Sequence, residues 1–301
     1  MKRKKINKPV SLLIVVLIYA LAFMAAFWSV IELKIPSPLW QMAYANLIAT
    51  VIIYFFSKFT DNSSLYDPYW SMAPILTSFY WLLPEIFSDT VSVYQWLIFA
   101  LIVVWGLRLT LNWGLRWKGF QDEDWRYVAI RNKTKNWYWP VSLVGIHLLP
   151  TTLIFLGMLP LYFVFRTHQE PQIWLFVIAA LLLVVAISME SVADFQLLKF
   201  RDSDRNENKL LRTGLWKKMR HPNYTGEILF WWGLFLSAIA FYPVLWRLFL
   251  GPGLITILFF FISIPVMDKR LSEKSQKMEV RSQKMGAERK GKDKRKKTKV
   301  R

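Results

Sequence analysis

VSLLIVVLIYALAFMAAFWSVIEL, Val10 to Leu33, decides the fold. A bilayer is crossed by about 20 consecutive apolar residues at helical rise, and this run meets that length with one acid near its end and no basic residue. MKRKKINKP precedes it, so the N-terminus resembles a signal peptide. However, the run exceeds a signal h-region and no small-x-small cleavage site follows, which predicts a retained first helix. Working outward, further apolar segments lie at about 39–58, 68–87, 91–112, 139–165, 172–193, 225–243 and 245–267. The pairs around Pro84 and Pro243 are tight enough for a re-entrant hairpin in place of a full span. The expected fold is therefore all-α: a polytopic transmembrane helical bundle of about eight spans, within a range of seven to nine, with both termini cytoplasmic.

Composition supports this class. Of 301 residues 54% are hydrophobic and 17% aromatic, more apolar surface than a soluble domain of this length needs. There is no Cys, which excludes disulfides, thiolate metal sites and cysteine nucleophiles. The net charge of +19 suggests nucleic acid until its distribution is read. From Asp268 to Arg301, 15 Lys and Arg face 5 Asp and Glu in a segment almost without apolar residues. Such a tail is expected to be disordered, drawn to anionic headgroups and not to a specific nucleic acid. The other basic residues fall in alternate loops, Lys2–Lys8, Lys58–Asp67, Arg108–Lys135 and Lys199–Arg220. The positive-inside rule puts that side in the cytoplasm, in the plasma (inner) membrane for a bacterial chain.

Insertion topology explains the Lys and Arg residues but not the acids, amides and tyrosines among them. DNSSLYDPYWS, Asp61 to Ser71, sets Asp67 before Pro68 with Tyr66 and Tyr69 beside it. Asp-Pro is also an ordinary helix start, and Tyr an ordinary interfacial residue. Arg108, Asn112 and Arg116 are spaced i, i+4, i+8, one polar stripe near the hydrocarbon boundary, where an ionisable group should face protein or a wet cavity. QDEDWRYVAIR follows. The most specific stretch is ESVADFQLLKFRDSDRNENKLLRTGLWKKMRHPNYTGEILFWWGLFL, beginning at Glu190. It packs Arg220, His221, Asn223, Tyr224 and Glu227 into eight residues ahead of an aromatic span. Arg suits phosphates, and Asn and carboxylates suit amide or ribose groups. Three His without HxxxH spacing argue against a zinc site, and no Walker or glycine-rich nucleotide motif is present.

RHPNYTGE before an aromatic span, preceded by DFQLLKFR and joined by SLYDPYWS and DEDWRYVAIR, resembles the steroid 5-alpha-reductase-like membrane proteins, most closely their bacterial branch. The resemblance covers roughly residues 60–270. It implies a reductase taking NADPH from the cytoplasmic side and reducing a carbon–carbon double bond, often conjugated to a ketone, in a lipophilic steroid-, isoprenoid- or lipid-like substrate. Residues 1–267 would form the membrane domain, with the cofactor-binding part at about 186–267, and 268–301 the tail. Carried over by position, Asp194, Arg201, Asn223, Tyr224 and Glu227 line the cofactor pocket, with Arg220 and His221 nearby. Arg108 matches a cofactor-contacting arginine, and Arg126 with Tyr127 assists. Asp67 falls near the family's catalytic Glu. Trp105 stands where a catalytic Tyr is expected, and since an indole is no proton acid, Tyr66 or Tyr69 would have to substitute. The Lys-rich tail replaces the family's Tyr-containing C-terminal segment. Two other readings share parts of the pattern: an S-adenosylmethionine-dependent methyltransferase resembling the isoprenylcysteine carboxyl methyltransferases, which use a similar RHP-x-Y-x-G segment, and a scaffold without chemistry. The DFQLLKFR and DEDWRY elements favour the reductase.

Overall fold

Helix α1 (Lys8–Glu32) starts where Asn7 caps it, the Asn7 side chain accepting from the Val10 amide at 3.2 Å with Pro9 in the first turn. The computed structural model describes residues 7–201, 210–276 and 278. The basic N-terminus before Asn7, residues 202–209 and most of the basic tail lie outside the described residues. Helix α2 (Pro38–Phe59) opens on a proline, and α3 (Tyr69–Phe87) follows a short 3-10 turn at Ser63–Tyr66. Helix α4 (Val93–Arg116) is started by a reciprocal capping box between Ser92 and Gln95. Asp124 caps the short α5 (Trp125–Thr134). Next comes one long interrupted rod: α6 (Tyr138–Ser142), a π-helical turn at Leu143–Leu148, and α7 (Leu149–Phe165). Helix α8 (Ile173–Arg201), the short α9 (Leu215–Lys218), α10 (Pro222–Phe241) and α11 (Leu250–Leu258) complete the order. After a second π-helical turn at Phe259–Ser263 the chain stays helical over 264–276. There is no strand among the described residues.

Among the described residues, seven helical stretches are long and apolar enough to cross a membrane: α1, α2, α4, Trp125–Phe165, α8, α10 and Pro243–Gln276. The chain is an all-α, multi-pass integral membrane protein. The eighth expected span, α3, is helical but is not among these seven. Its Ser71, Thr77, Ser78 and Glu85 are buried, so it is an interior helix whose polar groups face protein.

The described chain divides into two compact units: residues up to Ile187 with Ile228–Ile255, and Ser188–Glu227 with Thr256 onward. In the first unit the loops gather at two ends. At one, Asn62 Nδ2 donates to the Phe120 and Asp122 carbonyls at 2.9 and 3.1 Å, and Lys8 Nζ donates to the Leu115 carbonyl. At the other, Gln95 Nε2 donates to the Val164 and Thr167 carbonyls, and the Gln172 amide to the Ala240 carbonyl. Between them Trp105 is fully buried, stacked on Phe230 at 4.2 Å and edge-on to Trp231. Two glycines permit close helix contact: a Cβ on Gly251 would stand 2.3 Å from the Leu156 carbonyl oxygen, and one on Gly157 would stand 2.7 Å from the Trp231 ring.

The inward face of α2 sets polar residues among Ala45, Ala49 and Ile53. Asn46, Thr50 and Ser57 are all buried. Asn46 meets Tyr69 and Thr77, Thr50 meets Thr151 at 2.7 Å, and Ser57 meets His147 at 3.3 Å. His147 lies in the π-helical turn, and its Nδ1 is 2.9 Å from the Ser142 carbonyl. A polar side chain inside a bundle needs such a partner, because neither lipid nor apolar protein supplies one.

Candidate functional site

The 3-10 turn Ser63–Tyr66 ends at Asp67, and the 120s loop folds over it. The Asp124 amide donates to Ser64 Oγ at 2.7 Å, and the Ser63 amide to Glu123 Oε1 at 3.0 Å. This pins α5 so that the Tyr127 hydroxyl donates to Asp67 Oδ1 at 2.5 Å. Beside the pair, Arg126 binds Asp124 through two bonds, Nε to Oδ1 at 2.9 Å and a terminal nitrogen to Oδ2 at 3.1 Å. Burial, reinforced by the Asp124 charge, pushes the Asp67 carboxyl up from the ordinary carboxylate range to about 7. Arg126, the Tyr127 hydrogen bond and Arg116 pull the other way and do not cancel it. A carboxyl poised near neutrality can give and take a proton at physiological pH.

Behind this pair runs a chain of hydroxyls. Arg131 bridges Asp61 at 2.6 Å and Glu123 at 2.9 Å, and Tyr138 donates to Glu123 at 3.2 Å. Ser63 Oγ meets Tyr138 at 2.6 Å and Ser142 at 3.2 Å, leading to His147. Tyr66 and Tyr69 are buried and stacked on each other at 5.2 Å. The Tyr66 hydroxyl pairs with Thr151 at 2.6 Å, and that of Tyr69 donates to Asn46 Oδ1 at 2.8 Å. Both phenols are therefore engaged inside the bundle, and the phenol on Asp67 is Tyr127. Trp105, at the position where a tyrosine was expected, belongs to the aromatic core.

The second unit holds most of the residues assigned to the cofactor. Asp194 and Arg201 lie on the last part of α8. The Trp216 indole donates to the Ala193 carbonyl at 3.0 Å, and Gln196 accepts from the Leu215 amide at 3.0 Å, tying α9 to α8. Gly214 makes this possible: its φ of +59° suits glycine, and a Cβ there would lie 2.4 Å from the Gln196 amide. His221 Nε2 bonds Asp268 Oδ1 at 2.9 Å, and Arg220 reaches Asp268 Oδ2 at 3.5 Å. The His221 ring stacks on Tyr224 at 5.4 Å, and Tyr224 packs on Phe259 of the second π turn. Glu227 and Glu190 are buried. Asn223 Oδ1 is buried and accepts no hydrogen bond among the described residues. Arg108, half-buried on α4, and the Arg126–Tyr127 pair belong to the first unit.

Residues 53–284 match the sequence profile of a family described as "Protein of unknown function (DUF1295)". The chain belongs to that family. DUF1295 is steroid 5-alpha-reductase-like, which agrees with the resemblance carried by DFQLLKFR and RHPNYTGE. An uncharacterized protein of Schizosaccharomyces pombe is 26% identical over 226 residues, covering 67% of this chain; the chain spans 65% of that relative's length. No solved structure matches the chain. The DUF1295 match includes every residue considered above for cofactor or chemistry. It also includes four that the sequence reading did not single out: Glu123, inside DEDWRYVAIR, and Tyr138, His147 and Asp268. Of these, His147 carried a signal, since an ionisable residue inside an apolar segment warrants a named partner.

Proposed function

We propose that this DUF1295 protein is an NADPH-dependent membrane reductase that saturates a carbon–carbon double bond conjugated to a carbonyl in a lipophilic steroid-, isoprenoid- or lipid-like substrate. The observation that carries the reading is the Asp67–Tyr127 pair, a carboxyl held near neutrality under a phenol at 2.5 Å. Reducing a conjugated double bond places negative charge on the carbonyl oxygen, and a proton donor aimed there lowers the barrier. Protonated Asp67 donates to that oxygen. As its proton moves across, the Tyr127 hydroxyl stabilises the carboxylate left behind, and water restores the proton. Tyr66 and Tyr69 serve as supports, their hydroxyls held by Thr151 and Asn46.

NADPH supplies the hydride when bound. The second unit fits such a group in two respects. Asn223 Oδ1, buried and with no donor among the described residues, suits a carboxamide or ribose hydroxyl. The Arg220 side chain, 83% exposed, is available to a phosphate. Asp194, Arg201, His221, Tyr224 and Glu227 complete the cofactor set proposed in the second unit. The basic loops favour a cytoplasmic placement, where NADPH is available.

Purified protein in detergent, titrated separately with NADPH and S-adenosylmethionine and then supplied with lipophilic enones, tests the reading. The expected result is saturable NADPH binding, with enone reduction abolished in Asp67→Asn and NADPH affinity unchanged. Binding of the methyl donor without NADPH would overturn it in favour of a methyltransferase. Arg201→Ala should weaken NADPH more than NADH; equal losses would remove Arg201 from the 2′-phosphate.

A further inference from the structure

Asp268 stands outside the motifs that drew attention to the cofactor segment, yet in the second unit it touches two of that segment's residues. Its Oδ1 lies 2.9 Å from His221 Nε2, and its Oδ2 lies 3.5 Å from the Arg220 guanidinium. The two contacts differ in character. The His221 side chain is 7% exposed, so its bond to the carboxylate is short and shielded from water. The Arg220 side chain is 83% exposed and its bond is long, which makes it the kind of ion pair that contributes little by itself. An ionised carboxylate can only accept, so the proton of this imidazole sits on Nε2. That fixes the tautomer and the ring plane, as a carboxylate does for a metal-bound histidine. The ring so fixed lies flat against Tyr224, with an interplanar angle of 18°, and Tyr224 is braced in turn by Phe259.

We propose that Asp268 is a positioning residue of the nucleotide site: through His221 it sets the Tyr224 ring and the first turn of α10, and it holds Arg220 loosely enough to pass to a phosphoryl oxygen. The inference rests on the NADPH reading for its ligand, but not for the coupling between Asp268, His221 and Tyr224. It deepens that reading by separating the two basic residues of the RHP segment. His221 is oriented by Asp268 and has its Nε2 occupied, whereas Arg220 is the one that meets the anion. An Asp268 that merely joined two stretches of chain would matter only through its effect on folding.

The test compares Asp268→Ala with Asp268→Asn in the full-length protein in detergent. The amide oxygen of asparagine can still accept from Nε2–H, so it conserves orientation while removing the charge. The expected result is roughly tenfold weaker NADPH binding in D268A, seen in KM and not in kcat, with D268N within about threefold of wild type. Unchanged NADPH binding in D268A, or equal losses in both variants that follow their melting temperatures, overturns the proposal. Amide hydrogen exchange without ligand provides the second arm. D268A should speed exchange at residues 224–227 and D268N should not; no acceleration in D268A also overturns it. If wild type binds no NADPH while exchange behaves as expected, the ligand assignment fails and the positioning role stands.

Discussion

Asp67 titrates near pH 7 in the folded protein, whereas in the unfolded chain its carboxyl returns to about 4. Between those values the native state holds a proton that the unfolded state releases. Its contribution to stability therefore declines as pH rises from about 4 to about 7. Asp67→Asn should flatten that part of the stability profile, measured by thermal unfolding in detergent across pH. The same sign governs the chemistry: if protonated Asp67 is the acid, reduction slows as pH passes 7. Tyr127→Phe removes a hydrogen bond that lowers the Asp67 pKa, so the alkaline limb should shift upward in pH while the rate falls by about 10- to 100-fold. Asp67 was legible in the sequence because it stands next to Pro68 in a short polar loop. Its partner was not, because Tyr127 lies 60 residues further on and reaches it only through the fold of the 120s loop. Asp268, 47 residues beyond His221, escaped for the same reason.

Helices α2, α3 and α7 show what apolar periodicity reads and what it misses. The apolar runs located most helix ends within a few residues, since length and hydrophobicity suffice for that, whereas α8 runs on to Arg201, well past its apolar run. They did not show which faces turn inward. Asn46, Thr50 and Ser57 are scattered polar residues in an apolar run, and only the partners on α3, α7 and the π turn reveal a stripe. A π turn changes hydrogen-bond register without a residue signature, so the Ser142–His147 contact had no sequence signal. Helix contacts can be tested through the glycines. Gly251→Ala forces a Cβ against the Leu156 backbone, which cannot swing aside as a side chain can, and should cost about 1–3 kcal/mol. Gly145→Ala, with nothing within 4 Å of the added carbon, should leave the melting temperature unchanged.

At the scale of the whole molecule, the absence of cysteine gives a direct test of orientation, since one introduced thiol is the only one present. Asn132→Cys in α5 should label from the cytoplasmic side alone, and Asp89→Cys, between α3 and α4, from the opposite side alone. The reverse pattern would invert the topology and leave the proposed NADPH residues on the wrong face. The polar interior of the first unit has a further consequence, for biogenesis. As each segment leaves the ribosome, the translocon weighs it before its partners exist. α1 partitions into lipid unaided, whereas α2 is less apolar and exposes its stripe until α3 and α7 arrive. α3, below the threshold of a self-sufficient span, is expected to wait at the translocon for α4. Membrane entry in pairs, ordered by synthesis, then becomes a requirement of this sequence, and truncation after α3 should yield a chain whose last helix fails to insert.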